Sequence, residues 1–286
     1  MPRPMPMPML MPMSMPMSMF QSEVKVSLRL AAITCEIFYR EICYLAAQSP
    51  HVITLHFVRK GLHEVPAQMR QVVQELIDGI KPDQADAILL VFGLCGNVVD
   101  GLTARHVPLI IPRAHDCITL FLGSRERYQE EFSANPGTYY YTSASFERNR
   151  PDEKRASLGA ADDEETINAR YAQYVAQFGE DNARYLIELE KSWLNNYSRV
   201  VYLTAPPFDL PHLREKVEER AAAHKLPLVE LPADYSLLKM LCDGDWPDDK
   251  FLTVPPGHMI KASHDDGIIK AVPISPPGDR QTRQAG

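Results

Sequence analysis

VPLIIPRAHDCITLFLGSRERY, residues 107–128, reads as an apolar strand from Val107 to Ile111, a short turn, and a helix running to about Phe132. The strand shows no alternating polar face, so it is expected to be covered on both sides. The turn brings Arg113, His115, Asp116 and Cys117 within five positions. A base, a carboxylate and a thiol delivered together by a buried strand suit a metal or thiol site. Loops that follow parallel strands are also where α/β proteins place their ligands. The competing reading is a helix start in which Asp116 caps free amides and Cys117 packs inward.

The same pattern repeats upstream. Val24 to Thr34 reads as a strand, followed by Cys35-Glu36 and a helix to about Gln48. His51 to Val58 is a second strand, with a helix from about Ala67 to Ile80. The run AILLVFGL, Ala87 to Leu94, is a third strand, and GLCGN at 93–97 then turns into a short helix ending near Ala104. Continuous apolar strands alternating with helices indicate an α/β fold, a mostly parallel sheet with helices on both faces, Rossmann-like.

Downstream, a turn at Asn135-Pro136-Gly137 leads into the aromatic segment Thr138 to Thr142. Three adjacent tyrosines there cannot all face one way in a strand. A charged loop follows, then a helical stretch from about Glu164 to Asn196, which is expected to break near Gly179, where glycine is costly inside a helix. Strands at Ser198–Thr204, Leu226–Leu231 and Phe251–Val254, with helices at Leu210–His224 and Tyr235–Cys242, continue the theme. The chain thus divides into a low-complexity disordered tail (1–21), an α/β domain with the candidate site (22–146) and a loop with a long helical segment (147–197). A second α/β lobe or sheet extension (198–265) and a loose C-terminal tail (266–286) complete it.

Composition narrows the function classes. A chain of 286 residues with 45% hydrophobic and 23% charged residues is an ordinary globular sequence with ample core. Its net charge of -7 argues against a general nucleic-acid binder. No apolar run approaches the ~20 residues that span a bilayer. Five cysteines and no export signal favour free thiols in a reducing cytoplasm. Nine of the 12 methionines fall in the first twenty residues, alternating with proline and serine. Thioethers suit copper(I), yet an extension upstream of a start at Met17 or Met19 explains the run as well.

In a parallel sheet the C-terminal ends of the strands share one edge. Cys35-Glu36 follows the first strand, Gly61-Leu62-His63-Glu64 the second, Cys95-Gly96-Asn97 the third and His115-Asp116-Cys117 the fourth. Three of five cysteines therefore gather on the ligand-binding edge. As a metal centre, Cys35, Cys95, Cys117 and either His115 or His63 would suit zinc or iron, a corrinoid cobalt or an iron–sulfur cluster. Glu36 or Asp116 would orient ligands or move protons. As a nucleophile, Cys95 at a strand-to-helix turn would be activated by the helix start, with His115 as base. A third reading is a non-catalytic small-molecule-binding accessory module that uses the same edge. Gly96, Ser124 and Arg125 are the candidate cofactor contacts, the last two offering a hydroxyl and a guanidinium to an anion. No glycine-rich nucleotide motif is present. Cys43 and Cys242 read as core, and Trp193 and Trp246 as packing residues.

The blocks CEIFYREI (35–42), GLCGN, PRAHDCITLFLGSRERY (112–128), PGTYYYT (136–142) and SLLKMLCDGDW (236–246) resemble a bacterial and archaeal family classed as a domain of unknown function, number sixteen thirty-eight. The resemblance covers most of residues 28–257. The matching positions are Cys35, Glu36, Cys95, Gly96, His115, Asp116, Cys117, Gly123, Ser124, Arg125, Gly137 and Thr138. After Thr142 the chain departs from the family pattern, with SASF in place of a proline-glycine-aromatic turn. Some members are encoded beside corrinoid-dependent methyltransferases. The resemblance thus implies a small-molecule substrate, methyl or thiol one-carbon metabolism, and a corrinoid protein or methyltransferase as partner.

Overall fold

The computed structural model describes residues 27–60, 62, 65–147, 164–192, 196–206, 208 and 210–274, whose strands form a five-stranded sheet, a three-stranded sheet and a two-stranded hairpin. The largest comprises β1 (Arg29–Cys35), β2 (Val52–Val58), β3 (Ala87–Val91), β4 (Leu109–Pro112) and β8 (Phe251–Val254), in the order β2-β1-β3-β4-β8. The first four are mutually parallel, and β8 runs antiparallel against β4. β3 and β4 are buried at every position, as continuous apolar runs require. β2, on the sheet edge, stays partly exposed along most of its length.

This order has a functional consequence. From β1 the chain passes to β2 on one side, whereas β3 is followed by β4 on the other. The reversal between β1 and β3 is a topological switch point. Loops leaving neighbouring strands diverge there and leave room for a ligand at the C-terminal edge.

A 3-10 turn (Glu36–Phe38) and α1 (Tyr39–Gln48) follow β1, and α2 (Pro66–Gly79) opens on a proline suited to a first helical turn. After β4 the expected single helix is two, α3 (Cys117–Leu122) and α4 (Arg125–Ala134). Gly123 between them has φ of +80°, which closes α3, and the Ser124 hydroxyl recaps α4 by accepting from Arg127 N at 3.1 Å. The short helix expected before Ala104 is absent. Cys95, Gly96 and Asn97 all have positive φ (42°, 65° and 68°), and three such residues cannot begin a right-handed helix. The chain instead makes turns and then pairs with β9 (His258–Ala262), through Gly101 N to Ile260 O and Ala104 N to His258 O.

The second sheet is β5 (Thr138–Tyr141), β6 (Arg199–Thr204) and β7 (Leu228–Pro232), all parallel. Between β5 and β6 lie α5 (Ala144–Glu147), α6 (Glu164–Phe178) and α7 (Glu180–Ser192), with the break at Gly179 where the sequence suggested it. α8 (Pro211–Ala223) joins β6 to β7, and α9 (Ser236–Cys242) returns to the first sheet. The two-residue period of β6 divides its burial. Val201 and Leu203 enter the main core, while Val200 and Tyr202 pack with Tyr141, Val217 and Ala221 on the opposite face. The adjacent tyrosines split likewise: Tyr140 turns to the main core, and the rings of Tyr139 and Tyr141 lie 4.9 Å apart on the other side. Asp234 N to Phe121 O (2.8 Å), Arg127 to Pro232 O (2.8 Å) and the Arg40–Glu147 ion pair tie the second sheet to the first.

Beyond residue 265, where the sequence suggested a loose tail, β10 (Ile269–Pro273) pairs antiparallel with β9. Ile268 and Ile269 bury against the main core, and that burial is what orders the hairpin. The N-terminal tail, His63, Glu64, residues 148–163, Trp193 and residues 275–286 lie outside the described residues. Among the described residues no helix is long and apolar enough to cross a membrane.

One core position conflicts with its surroundings. Glu41, in the first turn of α1, is fully buried, and neither carboxyl oxygen has a hydrogen-bond partner beyond its own backbone among the described residues. Burial pushes this carboxyl up to about 7. The unfolded chain titrates it near the ordinary carboxylate range, so the cost is absent at low pH, grows as pH rises toward 7, and is complete above it. Glu41→Gln should therefore be more stable than wild type above pH 7, by roughly 3 kcal/mol. It should also lose the decline through the preceding window, with urea midpoints measured against pH as the check.

Candidate functional site

The parallel pairing of β3 and β4 does not stop at the strand ends. Leu94 N donates to Ala114 O at 2.8 Å and Cys95 N to His115 O at 3.0 Å, so the two exit loops run side by side as a ladder. Gly93 makes this possible. A Cβ there would lie 2.6 Å from the Asp116 backbone, closer than such atoms approach. Close by in the chain, Phe38, just after β1, and Phe121, within α3, stack their rings at 4.6 Å.

This ladder sets two cysteines against each other. Cys95 Sγ and Cys117 Sγ are 3.4 Å apart. Cys95 sits in the left-handed region at φ +42°, a strained setting for a residue with a side chain. Its thiol is held below the ordinary range, chiefly by hydrogen bonding from Cys117 and further by the backbone amides of Gly93 and Cys117, against the opposing effects of burial and the Asp116 charge. Cys117 moves the other way, well above the ordinary range, because it donates to Cys95, is buried, and faces the charges of Cys95, Cys35 and Asp116. Of the two coupled thiols, Cys95 is therefore the one that gives up its proton first, with Cys117 retaining its own.

Cys35 lies within electrostatic reach of both, at the end of β1, but is fully buried. Burial pushes its thiol up to about 12, with the Cys95 charge adding and Lys60 opposing. Glu36 is also buried. Asp116 is the N-cap of α3, its Oδ1 accepting from Ile118 N (3.0 Å) and Thr119 N (3.1 Å), while Oδ2 accepts from Tyr128 Oη at 3.0 Å. His115 is exposed, its ring 6.4 Å from that of Tyr128.

The anticipated cofactor contacts serve other purposes in this state. Ser124 caps α4, and Arg125 donates to the carbonyls of Asp266 (2.5 Å) and Asp249 (3.2 Å). Arg113 does the same for Asp248, Gly267 and Ile269. Both arginines thereby hold the β9–β10 turn. Gly96 is different: a Cβ there would meet nothing within 4 Å, so space is open beside Cys95. Cys242 is buried as expected, and Cys43 is partly exposed.

Lys60 and Tyr128 escaped the sequence reading, and Tyr140 was met there only as one of three adjacent tyrosines. Lys60, just past β2, donates to Ala144 O (2.8 Å) and Ser145 O (3.1 Å) and reaches the field of Cys35. Its place at the exit of β2 was the signal for it, one position before the 61–64 turn that the sequence singled out. Tyr128 binds Asp116 and has Tyr140 within its electrostatic reach, and both phenols are raised above their ordinary range, in each case chiefly by burial. Tyr140 was legible from the alternation within the tyrosine run. Tyr128 became visible only once α4 was seen to fold back over α3.

Among the described residues, no group of three or more histidine, cysteine or acidic side chains is arranged to hold a metal ion. The structure thus joins Cys95 to Cys117 and keeps Cys35 nearby. It sets His115 on the exposed Tyr128 side.

Two glycine variants separate the constraints on this site. Gly93→Ala should force the loops apart, cost roughly 1–3 kcal/mol, and release the contact between the thiols. Gly96→Ala should cost only about 1 kcal/mol of left-handed strain, because its Cβ enters open space. Thermal unfolding, with the reactivity of Cys95 followed in each variant, checks both.

No curated protein and no solved structure gives a significant match to the chain. A family model described as "Protein of unknown function (DUF1638)" matches residues 57–242, a span that contains Cys95, His115, Asp116 and Cys117 but begins after Cys35 and Glu36. On that match, which covers more than half of its length, the chain belongs to the DUF1638 family.

Proposed function

We propose that the protein acts through a nucleophilic thiolate on Cys95, at the C-terminal edge of the main sheet, on a small molecule that carries a soft electrophilic carbon or sulfur. The observation that carries this reading is the 3.4 Å contact between Cys95 Sγ and Cys117 Sγ, with Cys95 held at positive φ. Cys117 donates its S–H to the thiolate and keeps it oriented. In a methyl transfer the thiolate forms a carbon–sulfur bond as the bond from that carbon to its leaving group breaks, the leaving group departing with the electron pair. Methyl chemistry and a corrinoid protein or methyltransferase as partner draw their support from the family resemblance alone, and a cytoplasmic setting from the free cysteines.

A metal centre is the second reading, and one observation favours it. Two thiolates on one tetrahedral zinc or iron lie roughly 3.5–4 Å apart, close to the spacing of Cys95 and Cys117. Cys35 would be the third sulfur and His115 a nitrogen ligand, but these two are not gathered with the pair into a ligand set. This ranks the nucleophile above the metal, the reverse of the order suggested by residue types alone. Protein prepared anaerobically and free of transition metal that takes up neither zinc nor iron would remove the second reading. Stoichiometric metal lost on Cys95→Ser would replace the first.

For the first reading, iodoacetamide labelling with peptide mapping against pH is the test. Cys95 should label first, with an inflection below the ordinary thiol range. Cys35 and Cys242, each pushed up to about 12, should stay unlabelled in the folded protein. Cys117→Ala removes the donor, so the inflection should rise and labelling at neutral pH should slow by roughly tenfold. Uniformly sluggish labelling of all five cysteines would sink the reading.

A further inference from the structure

We propose that Cys95 and Cys117 form a dithiol–disulfide couple whose co-substrate is a disulfide, with Cys95 the attacking sulfur and Cys117 the resolving one. This deepens the thiolate reading and rests on it.

The two cysteines are 22 positions apart in sequence, yet their sulfurs are in van der Waals contact at 3.4 Å. A disulfide bond measures about 2.05 Å and forms only between residues whose backbones already lie close. Here the backbones are fixed as neighbours by the Leu94–Ala114 and Cys95–His115 hydrogen bonds and by the absence of a side chain at Gly93. Closing the bond then asks for a small side-chain movement and no rearrangement of the sheet.

Exposure separates these two residues from Cys35 and Cys242. Cys95 and Cys117 are partly exposed as residues, although burial acts on both thiols, whereas Cys35 and Cys242 are buried. The residue next to Cys95, Gly96, has open space where a side chain would stand, so the chain is not packed over at that point. Cys43 is also partly exposed, but it lies on α1, away from the paired loops that bring Cys95 and Cys117 together.

The step balances without any further oxidant. The Cys95 thiolate attacks one sulfur of the disulfide, forming a mixed disulfide and releasing one thiolate. Cys117 then attacks the Cys95 sulfur, its proton passing to the second departing thiolate. Counted from the dithiol, the protein gains one S–S bond and gives up two electrons and two protons: the proton that Cys95 released to solvent on ionising is taken up by the first departing thiolate, so the co-substrate disulfide is reduced to two thiols.

The test uses the full, reduced chain and oxidised glutathione as the probe, read by intact mass, thiol count and peptide mapping. The free-thiol count should fall by two from five, with a Cys95–Cys117 cross-linked peptide, no glutathione retained, and full reversal by dithiothreitol. Cys117→Ser should stop at a glutathione adduct on Cys95, and Cys95→Ser should leave Cys117 free. A stable adduct on Cys95 in the wild-type chain, with no cross-link, would overturn the couple while leaving the thiolate intact. No reaction at Cys95 in any form would overturn both. A cross-link between other cysteines would overturn the pairing alone.

Discussion

Gly93 has no room for a side chain because the backbone of Asp116 passes directly over it. That close approach lets the β3–β4 ladder run on beyond the strand ends, through Leu94 and Cys95 on one side and Ala114 and His115 on the other. The rest of the site depends on it. Asp116 is positioned to cap α3, α3 brings Cys117 inward, and the left-handed turn at 95–97 swings Cys95 back to meet it. Neither cysteine is near the other in sequence, and neither loop alone would hold the contact.

The sheet order gives the contact its setting. With β1 and β3 adjacent and their successors on opposite sides, the exits carrying Cys35 and Cys95 meet at the switch point. Cys35 ends fully buried, and its high thiol range marks it as a neighbour that shapes the field, not as an accessible nucleophile. The second sheet closes over this edge from one side, with Tyr140 turned inward and the β7 exit bonded to α3 through Asp234. On the far side, Arg113 and Arg125 pin the β9–β10 turn through backbone carbonyls.

Much of this was legible in residue patterns. Continuous apolar runs at 87–91 and 109–112 could only be strands covered on both faces, and the gathering of Cys35, Cys95 and Cys117 at one edge followed from parallel topology. The cap at Asp116 was open to reading from its place before an apolar run. What escaped was conformational. GLCGN looked like a helix start because glycine and asparagine tolerate many backbones, and only the three consecutive positive φ values reveal a tight return. The C-terminal hairpin escaped because glycine and proline recur beyond Asp265, at Gly267 and Pro273 among others, and resemble a loose tail, while its order comes from burial of Ile268 and Ile269 in a core assembled far upstream. Arg125 looked like an anion contact because a guanidinium suits one, and sequence does not reveal carbonyls supplied from 124 and 141 positions away.

The central claim is that Cys95 carries a thiolate in the folded protein, stabilised by Cys117 across the paired loops. Ultraviolet thiolate absorbance of the reduced native chain, followed against pH, addresses it most directly. One thiolate per molecule should form below the pH at which ordinary cysteines ionise, lost in Cys95→Ser and shifted to higher pH in Cys117→Ala. No thiolate absorbance until the pH at which ordinary cysteines ionise, with Cys95→Ser indistinguishable from wild type, would contradict it.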